Sequence, residues 1–218
     1  MAGKPTIFTD RKEAGEFLAK ELEKYRGDRP VVVGLPRGGV VVAAEVAKAL
    51  GADLDVIIAG KLRAPYNPEL AIGAITEDGH VFVNRMAIRS LRVTDEYLER
   101  EKNERLKVTA GRLKLYRAVR EKVPLEGRTV ILVDDGLATG STMISATEAA
   151  RASGAKKIVV AVPGGPPDTV ERLKAMDWID EVVCPLVPES FYAVSQIYID
   201  FKQVEDDTVV SILKEYGG

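Results

Sequence analysis

Two adjacent acids, Asp134 and Asp135, are followed within a few positions by three hydroxyl side chains, Thr139, Ser141 and Thr142, set among Gly136, Ala138 and Gly140. Ionised carboxylates accept hydrogen bonds and donate none, so the small-molecule group that suits a pair of them is one with paired donors, such as a vicinal diol. Small residues and hydroxyls just ahead of a helix leave backbone N–H groups open to an anion, and the helix dipole adds partial positive charge. Acids beside a phosphate would repel it unless they face something else. A ribose 5-phosphate satisfies both halves, with its 2′,3′-diol on Asp134 and Asp135 and its monoester on the loop from Ala138 to Thr142. The plainer alternative is that the acids cap a turn and the Gly/Thr/Ser run is a solvated loop.

The elements that must position these residues are legible on either side. Val130 to Val133 form a short continuous apolar run bounded by turn residues, which is how a strand buried on both faces of a parallel sheet reads. A helix is expected to begin near Ser141 or Thr142 and to run through Met143, Ile144, Ala146 and Ala149 until Gly154. The whole string from 129 to 142, Thr-Val-Ile-Leu-Val-Asp-Asp-Gly-Leu-Ala-Thr-Gly-Ser-Thr, closely resembles the 5-phosphoribosyl-1-pyrophosphate (PRPP) motif of the type I phosphoribosyltransferases. That motif has four apolar residues, two acids, a short variable stretch, then Thr-Gly-x-Thr.

The chain has 218 residues, 46% of them apolar, and a formal net charge of −2. This length and composition suit one α/β domain and apply no global pressure to bind nucleic acid or an anionic membrane. The lone cysteine, Cys184, excludes an intramolecular disulfide and fits a reducing cytosol. It lies in an apolar run and reads as packed rather than reactive. Lys4, Asp10, Arg11 and Lys12 interrupt any apolar run at the start, so no secretion signal is apparent, and no apolar window reaches the roughly 18 to 20 residues of a membrane span. A cytoplasmic protein is expected.

In chain order, Asp10 and Glu13 signal a helix start, with Ala14, Phe17, Leu18, Leu22 and Tyr25 on one face before Gly27. Val31 to Leu35 read as a buried strand running into Pro36-Arg37-Gly38-Gly39 and then a helix ended by Gly51. Two glycines at such a turn open the backbone to a ligand, and Arg37 adds fixed charge. Leu54 to Ala59 form a third strand, with Lys61 and Arg63 at its end. Residues 64 to 83 read as a loop and hairpin turning at Asp78-Gly79, with His80 as a surface residue beside the turn. From Thr94, an N-cap, to about Lys122 the pattern is helical. Residues 105 to 122 carry seven basic side chains and one acidic one; without interleaved aromatics they read as a solvated face rather than an RNA-contacting one. Strands follow at Ile158 to Val162 and Glu181 to Cys184, and Phe191, Tyr192, Tyr198 and Phe201 concentrate aromatics near Asp200.

The resemblance implies a parallel sheet flanked by helices on both faces. It gives one domain over 1–218: a core of about 28–63 and 124–185, a flap hairpin with a long helical insertion at about 64–123, and a hood at about 186–205. It also implies transfer of 5-phosphoribosyl from PRPP to a nitrogenous acceptor, in nucleotide salvage, with Mg2+ held largely through PRPP and water by Asp134, Asp135 and Asp200. Asp134, Asp135, Arg37 and Lys61 are then the catalytic contacts. Gly38, Gly39, Ala138, Thr139, Gly140, Ser141, Thr142, Phe191 and Tyr192 line the substrate, and the loop at Pro36-Arg37-Gly38 often carries a cis peptide in that family. A homodimer is expected. Ala138 departs from the 6-oxopurine transferases, which carry an aspartate there, so the acceptor stays open. The alternative is a non-catalytic or regulatory member of the same fold that senses PRPP or nucleotides, with an RNA-binding form among its variants.

Overall fold

The computed structural model describes residues 7–58, 60–75 and 81–217. The Asp10 carboxylate accepts the Glu13 N–H at 2.9 Å and starts α1 (Arg11–Glu21), which gives way to a 3₁₀ turn, Glu23–Asp28. β1 (Val31–Gly34) leads into α2 (Gly38–Leu50), closed by Gly51 at φ +60°, and then β2 (Asp53–Val56). Next come β3 (Gly60–Ala64), β4 (Asn67–Ile75), β5 (Val81–Val83), α3 (Arg85–Ser90) and α4 (Asp95–Arg117). The chain returns through β6 (Thr129–Val133), α5 (Ser141–Ala152), β7 (Lys157–Ala161), α6 (Pro167–Lys174) and β8 (Glu181–Val183), and ends in a 3₁₀ turn, Val194–Ile197, and α7 (Asp206–Lys214). No helix among the described residues is long and apolar enough to cross a membrane.

Five strands make a parallel sheet in the order β2-β1-β6-β7-β8. Its residues alternate between two cores. Val32, Ile131, Val133 and Val159 pack with α1, α2 and α7, whereas Val33, Val130, Leu132 and Val160 pack with α5 and α6. Covering both faces explains why these strands are apolar throughout instead of alternating. The order reverses between β1 and β6, whose final residues Gly34 and Val133 are partners. In open α/β sheets, the crevice beyond such a reversal is where ligands bind.

In the flap region the hairpin is present as expected, β4 pairing antiparallel with β5, but the loop before it is not. Residues after Ala64 do not form a loop: β3 and β4 pair antiparallel across a tight turn at Pro65-Tyr66, with Tyr66 at φ +67°, and β5 adds a third strand. This sheet has its own core, Leu62, Ala64, Ile72 and Ile75, covered by Ile88, Tyr97, Leu98 and Leu106 from α3 and α4. Lys61 and Arg63 accordingly sit inside β3, on its half-buried side, and β2 stops at Val56. The Asp78-Gly79 turn and His80 lie outside the described residues. Helix α4, capped by Thr94 as expected, ends at Arg117 rather than near Lys122. Its basic side chains are not simply solvated. Arg117 pairs with Asp55 at 2.6 Å, Arg112 with Asp206 at 3.4 Å and Arg105 with Glu101 at 3.3 Å, and just past the helix the Arg120 Nε donates to the Leu54 carbonyl at 2.9 Å.

Candidate functional site

Because β1 and β6 are neighbours in register, the turns that leave them are forced together. The Leu35 N–H donates to the Val133 carbonyl at 2.9 Å, and the Pro36–Arg37 peptide bond that follows is cis, as the resemblance implied. A side chain at Gly38 would place its Cβ 1.9 Å from the Asp135 Oδ2. One at Gly39 would lie 2.7 Å from the Val133 carbonyl oxygen and 2.8 Å from the Asp134 Cα. Close approach of the two turns is therefore a reason for these glycines in its own right, beside the exposure to a ligand that sequence reading gave them.

The acid pair sits at the mouth of the crevice, half-buried. The Asp134 Oδ1 accepts the Asp135 N–H at 2.8 Å. Burial, and then the neighbouring Asp135 carboxylate, push the Asp134 carboxyl well above the ordinary aspartate range. Asp135 has a counter-charge: the Arg11 Nε donates to its Oδ2 at 2.7 Å. The same guanidinium donates through Nη1 to the Lys202 carbonyl at 2.7 Å and lies 4.0 Å from the ring centroid of Phe201. Tyr198, stacked on Phe201 at 5.0 Å, donates its hydroxyl to the Asp135 carbonyl at 2.7 Å. Burial first, and then Asp135, raise the Tyr198 phenol above its ordinary value, so it stays a donor at neutral pH.

Beyond the acids the loop is packed from behind and open in front. A Cβ on Gly136 would meet Val194 at 2.6 Å, and the Leu137 N–H donates to the Gly164 carbonyl at 2.9 Å. Gly140, at φ +70°, starts α5 with no side-chain cap, and the first helical bond runs from the Ile144 N–H to the Gly140 carbonyl. Ala138, Thr139 and Thr142 are exposed and Ser141 is half-exposed, with the Thr139 and Ser141 hydroxyl oxygens 3.1 Å apart. N–H donors and hydroxyls are thus presented together at the positive end of a helix. Thr169 donates to the Ala138 carbonyl at 3.1 Å, and Arg172 of α6 bonds the Thr139 carbonyl, which places a cation beside the loop.

The remaining predicted residues have partners of their own. Arg37 pairs with Glu205 at 3.0 Å, and Lys61 stands opposite Ala74 in the small sheet. Phe191 is half-buried against the cluster of Phe8, Ile197 and Tyr198, whereas Tyr192 is 88% exposed, with its N–H on the Gln196 side chain. Asp200 pairs with Lys202 at 2.7 Å. Among the described residues no group of three or more His, Cys, Asp or Glu side chains could hold a metal ion, so Asp134, Asp135 and Asp200 do not form a ready-made cage. Two adjacent carboxylates still fit the way Mg2+ is commonly held, by one or two acids with substrate phosphates and water.

Sequence reading missed Arg11 and Arg172, and it treated Tyr198 only as part of an aromatic set. Asp10-Arg11-Lys12 looks like a solvated helix start, and nothing local marks an arginine that is 9% exposed.

The model of the phosphoribosyl transferase domain matches residues 8–202. Over 207 residues the chain is 45% identical to "Putative phosphoribosyl transferase Rv0571c" of Mycobacterium tuberculosis, covering 95% of this chain and 46% of that protein. The chain therefore spans about half the length of the curated relative it matches. A shorter stretch of 58 residues, 25% of this chain and 21% of the other, is 45% identical to ribose-phosphate pyrophosphokinase of Pyrococcus furiosus. The crystal structure of TT1426 from Thermus thermophilus superimposes with a TM-score of 0.91 at 46% identity, covering 97% of this chain and all of that one.

Proposed function

The chain belongs to the phosphoribosyl transferase domain family, and from that membership we propose that it moves the 5-phosphoribosyl group of PRPP to a small nitrogenous acceptor, such as a nucleobase, with release of pyrophosphate. One observation carries the reading: an acid pair and the uncapped N-terminus of α5 flank a single corner at the β1/β6 crevice. A sugar that bears a diol and a monoester matches that corner group for group.

In this reading Asp134 and Asp135 accept the ribose hydroxyls. The loop from Ala138 to Thr142 donates to the 5-phosphate, with Arg172 reinforcing the charge. Arg37 and Lys61 bind the pyrophosphate, and Gly38 and Gly39 let the first of these loops approach. Phe191 and Tyr192 belong to the acceptor's side. Bound Mg2+ would neutralise charge on the pyrophosphate leaving group. The C1′–O bond to pyrophosphate breaks with its electron pair leaving on the pyrophosphate, a C1′–N bond forms, and the acceptor nitrogen's proton passes to the departing pyrophosphate or to water. Ala138 offers no side-chain acid or base for that proton. Fixing sugar, monoester and leaving group in one geometry is the contribution these residues make.

Pyrophosphate release from PRPP and Mg2+ should be assayed across adenine, guanine, hypoxanthine, xanthine, uracil and orotate. Release with at least one is expected. Asp135→Ala should weaken PRPP binding about tenfold or more, since a hydrogen bond to a charged group contributes roughly 1.5 to 3 kcal/mol. Binding without turnover on any acceptor would replace the transferase reading with a PRPP sensor, and failure to bind PRPP would end both.

A further inference from the structure

Arg11 is 9% exposed although it is the first residue of α1 and would ordinarily point to water. A buried guanidinium is costly unless its N–H groups find partners. Here the partners are split between two parts of the site: the Asp135 Oδ2 at 2.7 Å in the sugar corner, and the Lys202 carbonyl at 2.7 Å in the C-terminal hood. Its planar face rests on Phe201 at 4.0 Å. The backbone just before it is laced to the same hood, since the Phe8 N–H donates to the Ile197 carbonyl at 2.9 Å and the Ile199 and Asp200 N–H groups donate to Phe8 and Thr9 at 2.8 Å.

We propose that Arg11 is a positioning residue for the sugar corner. It holds Asp135 by Oδ2, so that Oδ1 is the oxygen left for a ribose hydroxyl, and it sets the distance between that carboxylate and the aromatic wall of Tyr198 and Phe201. It also supplies the counter-charge that keeps two neighbouring carboxylates from repelling an anionic substrate. Lysine cannot replace it fully, because a point charge cannot bond the carboxylate and the hood carbonyl in one plane while lying flat on a ring. The proposal rests on the PRPP reading above and adds a residue from an element that reading does not use.

Calorimetric titration of PRPP with Mg2+, and separately of inorganic pyrophosphate with Mg2+, into the wild type, Arg11→Met and Arg11→Lys tests it. Arg11→Met should bind PRPP about tenfold more weakly and pyrophosphate as before, because the effect runs through the sugar carboxylate. Arg11→Lys should recover part of the PRPP affinity. Adding Asp135→Ala to Arg11→Met should cost less than Asp135→Ala alone, as expected for residues that act through each other. Equal weakening for both ligands marks a merely structural role and overturns the proposal, as does PRPP affinity that is unchanged or tighter in Arg11→Met. Should Arg11→Met fail to fold, Arg11→Lys decides, and wild-type affinity in that variant overturns the proposal. A wild type that binds no PRPP removes this proposal and the function together, whereas a binding wild type with indifferent Arg11 variants removes this proposal alone.

Discussion

The corner from β6 to α5 and the insertion from β3 to α4 are built on opposite plans. In the corner, apolar burial does most of the work. β6 is buried along its whole length, Gly140 turns the chain, and α5 sets Met143, Ala146 and Ala150 against the sheet. In α4 the fully buried residues are only Glu101 and Tyr116. The insertion is held by side chains that reach far along the chain: Tyr97 to the Arg63 carbonyl at 3.2 Å, Glu101 to the Arg63 N–H at 3.2 Å, Arg117 to Asp55 and Arg112 to Asp206. Apolar burial is non-directional and tolerates small shifts, whereas ion pairs depend on geometry and on both partners being present. The comparison teaches that the site corner is held mainly by apolar packing on the sheet, whereas the insertion adds long-range ion pairs to a small apolar core of its own.

The sharpest way to break this contrast is Arg117→Met. Asp55, 3% exposed, would lose that counter-charge and keep the Val56 and Val123 N–H groups at 2.7 and 2.9 Å. Losing one partner of a buried pair costs about 3 to 5 kcal/mol, read as a lower urea midpoint. An unchanged midpoint would mean that the insertion does not depend on that charge.

Asp134→Asn should move stability the other way. The Asp134 carboxyl is raised in the folded chain, so above the ordinary value of 3.8 the folded state binds more protons than the unfolded chain. Stability then falls as pH rises through the raised value, and the deficit persists at neutral pH. The variant should be more stable at pH 7 by about 1 kcal/mol, with a flatter dependence of Tm on pH and weaker PRPP binding. A Tm at pH 7 below that of the wild type would contradict the assignment.

The smallest effect belongs to Gly111. It lies inside α4, and a Cβ there meets nothing within 4 Å. Gly111→Ala should therefore raise thermal stability by about 0.8 to 1 kcal/mol, the helix propensity difference. No change would indicate that the end of α4 is frayed rather than helical.

Legibility in the sequence follows the same division. Helix α1, strands β1, β6 and β7, and helices α2 and α5 were readable because their apolar periods and end residues are local signals, such as the Asp10 cap and Gly51. The Pro65-Tyr66 turn was not, because Tyr66 adopts φ +67° without the glycine or asparagine that usually marks such a turn. The basic run in α4 looked like a solvated face because each partner, Asp55 or Asp206, lies dozens of residues away.

The order of residue types from Thr129 to Thr142 by itself determined that a strand would end in two acids, a small-residue loop and a helix N-terminus, since each of those needs only adjacent residues. Only the tertiary structure decided what stands around the acids. Register between β1 and β6 presses Gly38 and Gly39 against them, and the pairing of residues 8–9 with 197–200 carries Arg11 to Asp135. The physical reason is that strand pairing and burial join segments far apart in the chain, and a charged side chain shows in its own sequence context no sign of the partner it will meet.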